Sequence, residues 1–213
     1  MFTILYEDDA LCVVNKPAGL LVIPAHFEKK LSLLELLNKE AAQKTKTYRL
    51  HPCHRIDRQA SGIVIFAKGK RNQSAIMEQF HAHQVKKHYL AFVKGLLPNQ
   101  SGTLTHYIKA RGKEREKKAI LHYRVLEERK LWSFIEVEPL TGRTNQIRMQ
   151  FANIDHPLLG ERIYAFGKDF EVKFRRLALH AHRIYFYHPL GRRPIFLEAP
   201  LPSDMKAFLE LPQ

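Results

Sequence analysis

Residues Ile120–Glu138, ILHYRVLEERKLWSFIEVE, decide the fold class. Ile120–Glu127 and Trp132–Glu138 each alternate apolar and polar side chains, the period of a strand with one face buried. They follow one another directly, as antiparallel partners do. Toward the C-terminus, Leu177–Tyr187 again alternates at period two. His188-Pro189-Leu190-Gly191 supplies a turn and Pro194–Glu198 a returning strand, so a hairpin is expected. Toward the N-terminus, Phe2–Tyr6 and Ala10–Asn15 read as strands around Glu7-Asp8-Asp9. Gly62–Ala67 (GIVIFA) reads as a buried strand, and His88–Lys94 as another, ended by Gly95. Helices are expected after the capping residue Ser32, over Asn72–His83, over Thr144–Ile154 and over Ser203–Leu211. Strands in direct succession favour an α+β fold with a largely antiparallel sheet over a doubly wound one. Pro98-Asn99 and Ser101-Gly102 break the chain near its middle, which puts a boundary between two lobes near residues 96–102.

The chain has 213 residues, long enough for one domain that buries its own core. Thirty-five Lys and Arg against 21 Asp and Glu leave a net charge of +14. That excess favours a polyanionic partner, nucleic acid before an anionic membrane surface. No run approaches the ~18 apolar residues of a membrane span. The first residues carry acids where a secretory signal needs Lys or Arg. Two cysteines, Cys12 and Cys53, make no disulfide framework, and reduced thiols in the cytoplasm are expected.

Three clusters carry candidate chemistry. His51–Gly62 (HPCHRIDRQASG) opens onto the GIVIFA strand, with Asp57 its one carboxylate between Arg55 and Arg58. Cations on both sides favour the ionised form, for catalysis or for an ion pair that closes the loop. The spacing of His51, Cys53 and His54 is not that of a zinc ribbon, and no metal is expected. Leu140–Arg148 (LTGRTNQIR) follows a strand and opens a helix. Arg143, Gln146 and Arg148 there, with the free amides of a helix start, suit a phosphate or carboxylate. Lys86-Lys87-His88-Tyr89 joins cations to an aromatic ring, as recognition of unstacked bases requires. Neither GxxxxGK[ST] nor GxGxxG occurs, so nucleotide-cofactor binding is not supported.

Together these clusters resemble a known family. His54–Gly62 (HRIDRQASG) is similar to the HRLDxxTSG signature of the RNA pseudouridine synthases typified by ribosomal large-subunit pseudouridine synthase A. Asn15–Val22 (NKPAGLLV) resembles the family's NKPxGxxV segment, and Lys86–Gly95 its K-x-Y-x-A-x-V-x-G strand. Leu140–Tyr164 resembles its TGRxHQIRxHLAxxGHPIxGDxxY segment, and Leu177–Pro202 its C-terminal hairpin and AP-x-P ending.

The resemblance implies a twisted, mainly antiparallel mixed sheet with flanking helices and a central basic cleft. It implies one catalytic domain over residues 1–213, without the small N-terminal RNA-binding domain that many relatives carry. It implies isomerisation of uridine to pseudouridine in ribosomal RNA or tRNA stem-loops, with neither metal nor organic cofactor; a monomer is the default expectation for a basic core that wraps a folded RNA. Asp57 matches the essential aspartate, which attacks the ribose anomeric carbon or abstracts a ribose proton. Arg148 matches the arginine that pairs with it, and Tyr89 the tyrosine that stacks on the target base. Arg55 matches the arginine that fills the space left by the flipped nucleotide. Arg143 and Gln146 transfer to RNA backbone or to the helix–loop structure. Ala60 replaces the signature Thr, Asn145 the His of GRxHQ, and Asp155 the Gly before His156. These departures motivate an alternative, a catalytically inactive RNA-binding protein on the same fold. The basic segments Lys109–Lys118 and Lys168–Arg176 are assigned to substrate specificity.

Overall fold

The computed structural model describes residues 2–25, 30–44, 46–109, 115–165 and 171–211. The elements in chain order are β1 (Thr3–Glu7), β2 (Leu11–Lys16), α1 (Leu33–Gln43), β3 (Leu50–Pro52), β4 (Ser61–Lys68), α2 (Lys70–His81) and β5 (Lys86–Lys94). There follow β6 (Ser101–Lys109), β7 (Glu116–Arg129), β8 (Trp132–Pro139), α3 (Gln146–Asn153), β9 (Leu179–Tyr187), β10 (Pro194–Glu198) and α4 (Ser203–Leu209). The class is α+β, as the succession of strands predicts. Among the described residues no helix is long and apolar enough to cross a membrane.

The chain forms two compact units. One comprises Met1–Lys86 with Ala181–Pro200, the other Lys87–His180 with Leu201–Gln213. The crossing at Lys86/Lys87 corrects the boundary expected near residues 96–102. Pro98 and Asn99 lie in the connection between β5 and β6, Ser101 and Gly102 already belong to β6, and both strands are part of the second unit's sheet.

In the first unit the strand order is β1-β2-β4-β9, with β3 on β4 and β10 on β9. The β1–β2, β2–β4, β3–β4 and β9–β10 pairs are antiparallel. Leu11–Val14 and Ser61–Ala67 are buried without interruption, because both faces of this part of the sheet are covered. Ile63, Ile65, Ile184 and Phe186 share a core with Ile76 of α2. Leu33, Leu37 and Ala41 form the buried stripe of α1. Ser32 caps that helix in a reciprocal capping box with Glu35. Helix α2 starts at Lys70, two residues before the expected Asn72. Gly69 takes φ +84° to start it, and the Asn72 amide donates back to the Lys68 carbonyl at 2.8 Å. Gly62 has φ +112°, and a Cβ there would lie 2.2 Å from the Ala181 carbonyl oxygen. Only glycine permits that approach of β4 and β9.

In the second unit the order is β5-β8-β7-β6, with every neighbouring pair antiparallel. Strand β6 lies where the sequence reads as a break. It is an edge strand with one sheltered face, so its apolar signal is weak. Gly102 faces Tyr123 across the pair, with the ring only 2.8 Å from where a Cβ would stand. Helix α3 begins at Gln146 rather than Thr144, because Asn145 is left-handed at φ 55°. Phe92, Trp132, Phe134 and Phe208 build an aromatic core with α4. Val172 and Phe174 pack on this core, and Arg176 forms a bidentate pair with Asp204 at 2.6 and 2.8 Å. The described part of the segment Lys168–Arg176 is therefore partly structural. Of Lys109–Lys118, Lys109 and Glu116–Lys118 are paired strand, while residues 110–114 lie outside the described residues, as do 168–170.

Candidate active site

Asp57 sits in the loop between β3 and β4, half-buried, directly before a tight turn closed by the Ala60 amide on the Asp57 carbonyl at 3.2 Å. The turn is clamped from outside by the segment Lys16–Leu20. Lys16 is fully buried, and its ammonium donates to the carbonyls of Pro17 (3.0 Å), Leu20 (2.7 Å) and Arg58 (3.2 Å). Three carbonyls match the three protons of an ammonium. The Gly19 amide donates to the Arg58 carbonyl at 2.8 Å, and Arg58 Nε returns a bond to the Gly19 carbonyl at 3.1 Å. Two blocks 40 residues apart, NKPAG and RIDRQ, thus form one rigid corner carrying Asp57. Arg55 projects from it as an exposed cation.

Lys16→Met keeps the stem and removes all three bonds, leaving the Pro17 and Leu20 carbonyls to be rehydrated. A loss of about 2–3 kcal/mol in urea unfolding is expected, since bonds to charged donors contribute ~1.5–3 kcal/mol each and part is recovered by water. A loss below about 0.5 kcal/mol would show that the corner holds without it.

The neighbouring His and Cys residues are engaged otherwise. His54 Nε2 accepts from the Ile65 amide at 3.1 Å. Cys53 is part of the apolar core, and burial pushes its thiol up to about 12. His51 is lowered by burial and by Arg49 and Lys70. Among the described residues no three His, Cys, Asp or Glu side chains are grouped to hold a metal.

The second unit brings together the other candidates. Arg148, on the first turn of α3, is buried. Its Nε and Nη2 fork onto the Glu161 carboxylate at 2.6 and 2.8 Å, and its Nη1 reaches Asn145 Oδ1 at 3.2 Å. The guanidinium also lies 5.1 Å from the Tyr164 ring centroid, and Asn145 Nδ2 donates to the Tyr164 hydroxyl at 2.7 Å. Burial alone would raise the Glu161 carboxyl. The Arg148 fork and the amides of Ile163 and Tyr164 outweigh it and hold the group below the usual range. Asn145 therefore takes a defined place beside Arg148, and as Asn it tolerates the left-handed backbone there. Asp155 likewise adopts positive φ (65°), at some strain, where the family pattern has Gly.

Gln146 is buried and fully engaged. Its Oε1 accepts from Thr141 Oγ1 (2.7 Å) and the Arg143 amide (3.0 Å), and its Nε2 donates to the Ile120 carbonyl (3.0 Å). Of the two roles expected for it, these bonds belong to the helix–loop structure. Arg143 lies half-buried in the same loop, with Nε on the Lys118 carbonyl at 3.1 Å. Lys87 Nζ is 3.9 Å from where a Gly142 Cβ would stand, so the Lys86–Tyr89 strand borders this loop. Burial lowers the Lys87 ammonium. Tyr89 is half-buried on β5, paired with Val137 of β8.

Glu161 and Tyr164 lie within the block 140–164 but carry no role that the sequence alone assigns. No spacing rule joins residue 148 to residue 161 across a helix end and two turns. A carboxylate in the same block as a buried arginine was the available signal.

The chain is similar to known proteins in sequence and in fold. The family model described as RNA pseudouridylate synthase matches residues 10–153. Ribosomal large subunit pseudouridine synthase D of Xylella fastidiosa is 34% identical over 221 residues, covering 95% of this chain and 66% of that protein. The protein of the same name from Nitrosomonas europaea is 34% identical over 221 residues, covering 97% and 64%. The chain thus spans slightly under two thirds of the length of these relatives. Among solved structures, human RNA pseudouridylate synthase domain containing 4 superposes with a TM-score of 0.80 at 24% identity, over 97% of this chain and 91% of that one. At that identity the likeness speaks for the fold.

Proposed function

The chain belongs to the RNA pseudouridylate synthase family, and from that premise we propose that it isomerises uridine to pseudouridine in structured RNA. The names of the relatives favour large-subunit ribosomal RNA as substrate. The observation that carries the reading is the Asp57 corner, a carboxylate held on a turn that a buried lysine and the Arg58–Gly19 bonds keep rigid. Rigid placement of an ionised carboxylate is what either route of the reaction requires, attack at the ribose anomeric carbon or removal of a ribose proton. In the isomerisation the N1–C1′ bond breaks, a C5–C1′ bond forms, C5 loses its proton and N1 gains one. The atoms balance without an oxidant, reductant or group carrier.

In this proposal Tyr89 stacks on the base and Arg55 occupies the stem-loop position of the flipped nucleotide. Arg143 contacts phosphate, and Arg148, oriented by Glu161, supplies a fixed positive charge. The protein acts in the cytoplasm as a monomer, with neither metal nor organic cofactor. The accommodation of Asn145 beside Arg148 weighs against the catalytically inactive alternative. The test is tritium release from RNA labelled at uridine C5, using transcripts of large-subunit ribosomal RNA and of tRNA, with pseudouridine mapping in cells with and without the gene. Release from the ribosomal transcript and one site lost on deletion are expected. Absence of release from every RNA, with an unchanged map, overturns the proposal.

A further inference from the structure

The outer strands of the second unit's sheet leave one face uncovered. On β6, Thr103, Thr105, Tyr107 and Lys109 alternate as exposed residues, while Gly102, Leu104, His106 and Ile108 turn to the sheltered side. Tyr107 is 65% exposed, more than any other large hydrophobic or aromatic side chain described as exposed. Its cross-strand partner on β7 is Lys118, and Lys109 follows two residues along the same face, opposite Glu116. The Lys118 carbonyl accepts from Arg143 and is thus turned away from β6. Tyr107 and Lys118 therefore form the kind of antiparallel pair whose side chains stand closest.

A tyrosine in a strand is ordinarily there to pack. Tyr107 is left exposed among the described residues, so burial does not account for it. Among the described residues three cations, Lys109, Lys118 and Arg143, accompany it, with the acid Glu116 opposite Lys109. Farther along the face Arg124 bonds Glu136 at 3.2 Å, Thr103 bonds His122 at 2.7 Å, and Glu138 stands opposite His122. Positive charge and the exposed ring coincide at one end of the sheet. That end is continuous with the LTGRTNQIR loop. The Leu140 and Thr141 amides donate to the Ile120 carbonyl, and the Ile120 amide donates to Thr141 Oγ1 at 2.9 Å. A ligand held on this face is thereby held on the element that carries Arg143 and Arg148.

We propose that Tyr107, Lys118 and Lys109 form a stacking platform for an unpaired nucleotide of the RNA substrate. The ring offers its face to a base and the lysines take the adjoining phosphates. The proposal deepens the RNA-modifying function and rests on it for the identity of the substrate. Charge complementarity selects RNA over a protein partner here, since a protein would need matching acids to meet three clustered cations. Because stacking tolerates any base, the platform adds affinity without reading sequence.

The test uses the whole chain and two probes, a labelled single-stranded 12-nucleotide RNA of mixed sequence and a fully paired RNA hairpin. Binding is followed by fluorescence anisotropy at several salt concentrations. Tyr107→Ala should weaken binding of the single strand roughly tenfold, with little effect on the duplex stem. Tyr107→Phe keeps the ring and should restore affinity. Lys118→Ala should lower the slope of log affinity against log salt by about 0.7, the share of one single-strand phosphate contact. With an active RNA transcript, the Tyr107→Ala loss should appear in KM rather than kcat. Equal single-strand affinity for wild type and Tyr107→Ala overturns the platform, as does Tyr107→Phe behaving like Tyr107→Ala. If wild type isomerises no RNA while Tyr107→Ala still loses single-strand affinity, the platform stands and the proposed reaction fails.

Discussion

Asp57→Asn is expected to abolish tritium release from uridine-labelled RNA, by more than about 10³-fold, with binding of the same RNA kept within a few-fold. Asparagine matches aspartate in size and preserves the backbone turn at Arg58-Gln59. What it removes is the oxygen that, in the proposed reaction, attacks carbon or accepts a proton. The corner holding Asp57 is built from backbone carbonyls and amides, together with the side chains of Lys16 and Arg58. The substitution therefore leaves the frame in place, and lost activity reports on chemistry. The measurement compares single-turnover rates at saturating enzyme, with thermal unfolding as the control for fold. Retention of even one tenth of the wild-type rate would remove Asp57 from the reaction.

Glu161→Ala is expected to lower stability by about 3–5 kcal/mol, the usual cost of leaving a buried charge without its partner. In a chain of this size that corresponds to a fall in Tm of roughly 10 °C. Arg148 is nearly buried, with side-chain exposure of 11% against 0% for Glu161, so water cannot replace the carboxylate without opening the loop. The Ile163 and Tyr164 amides lose their acceptor in the same change. Activity should fall as well, because the guanidinium loses the fork that orients it. Glu161→Gln keeps one acceptor oxygen and should lie between. The double variant Glu161→Ala with Arg148→Met removes both charges and should be more stable than Glu161→Ala alone, while remaining inactive. A double variant no more stable than the single one would mean that the pair is not the source of the loss.

The same pair makes stability depend on pH. Glu161 is held below its usual range when folded, so its contribution is fully present above the ordinary glutamate range. It is lost as pH falls through the depressed folded value. Urea midpoints of the wild type should therefore fall on acidification below about pH 4.5, and the fall should be shallower in Glu161→Ala.

Much of the framework was legible locally. Ser32 announced a capped helix, and the structure shows it capping α1, with Glu35 completing a reciprocal box. GIVIFA read as a buried strand because an unbroken apolar run suits a strand covered on both faces. β6 was illegible for the opposite reason. A one-faced edge strand with a glycine reserved for a cross-strand ring has the composition of a loop. The start of α3 was misplaced because helical periodicity is blind to a single left-handed residue, Asn145.

By itself the sequence determined the class of fold and the family: alternating strands in direct succession, and family-like blocks in order, which hold Asp57, Tyr89 and Arg148. Those are properties of short windows, where side-chain period and residue type are enough. Tertiary structure alone decided what holds each group. Lys16 reaches a carbonyl 42 residues away, Glu161 claims Arg148 from 13 residues downstream, and Tyr107 is left uncovered on its sheet. Each depends on the chain folding back to place backbone or charge beside a side chain, and no local period records where a distant carbonyl or carboxylate will arrive.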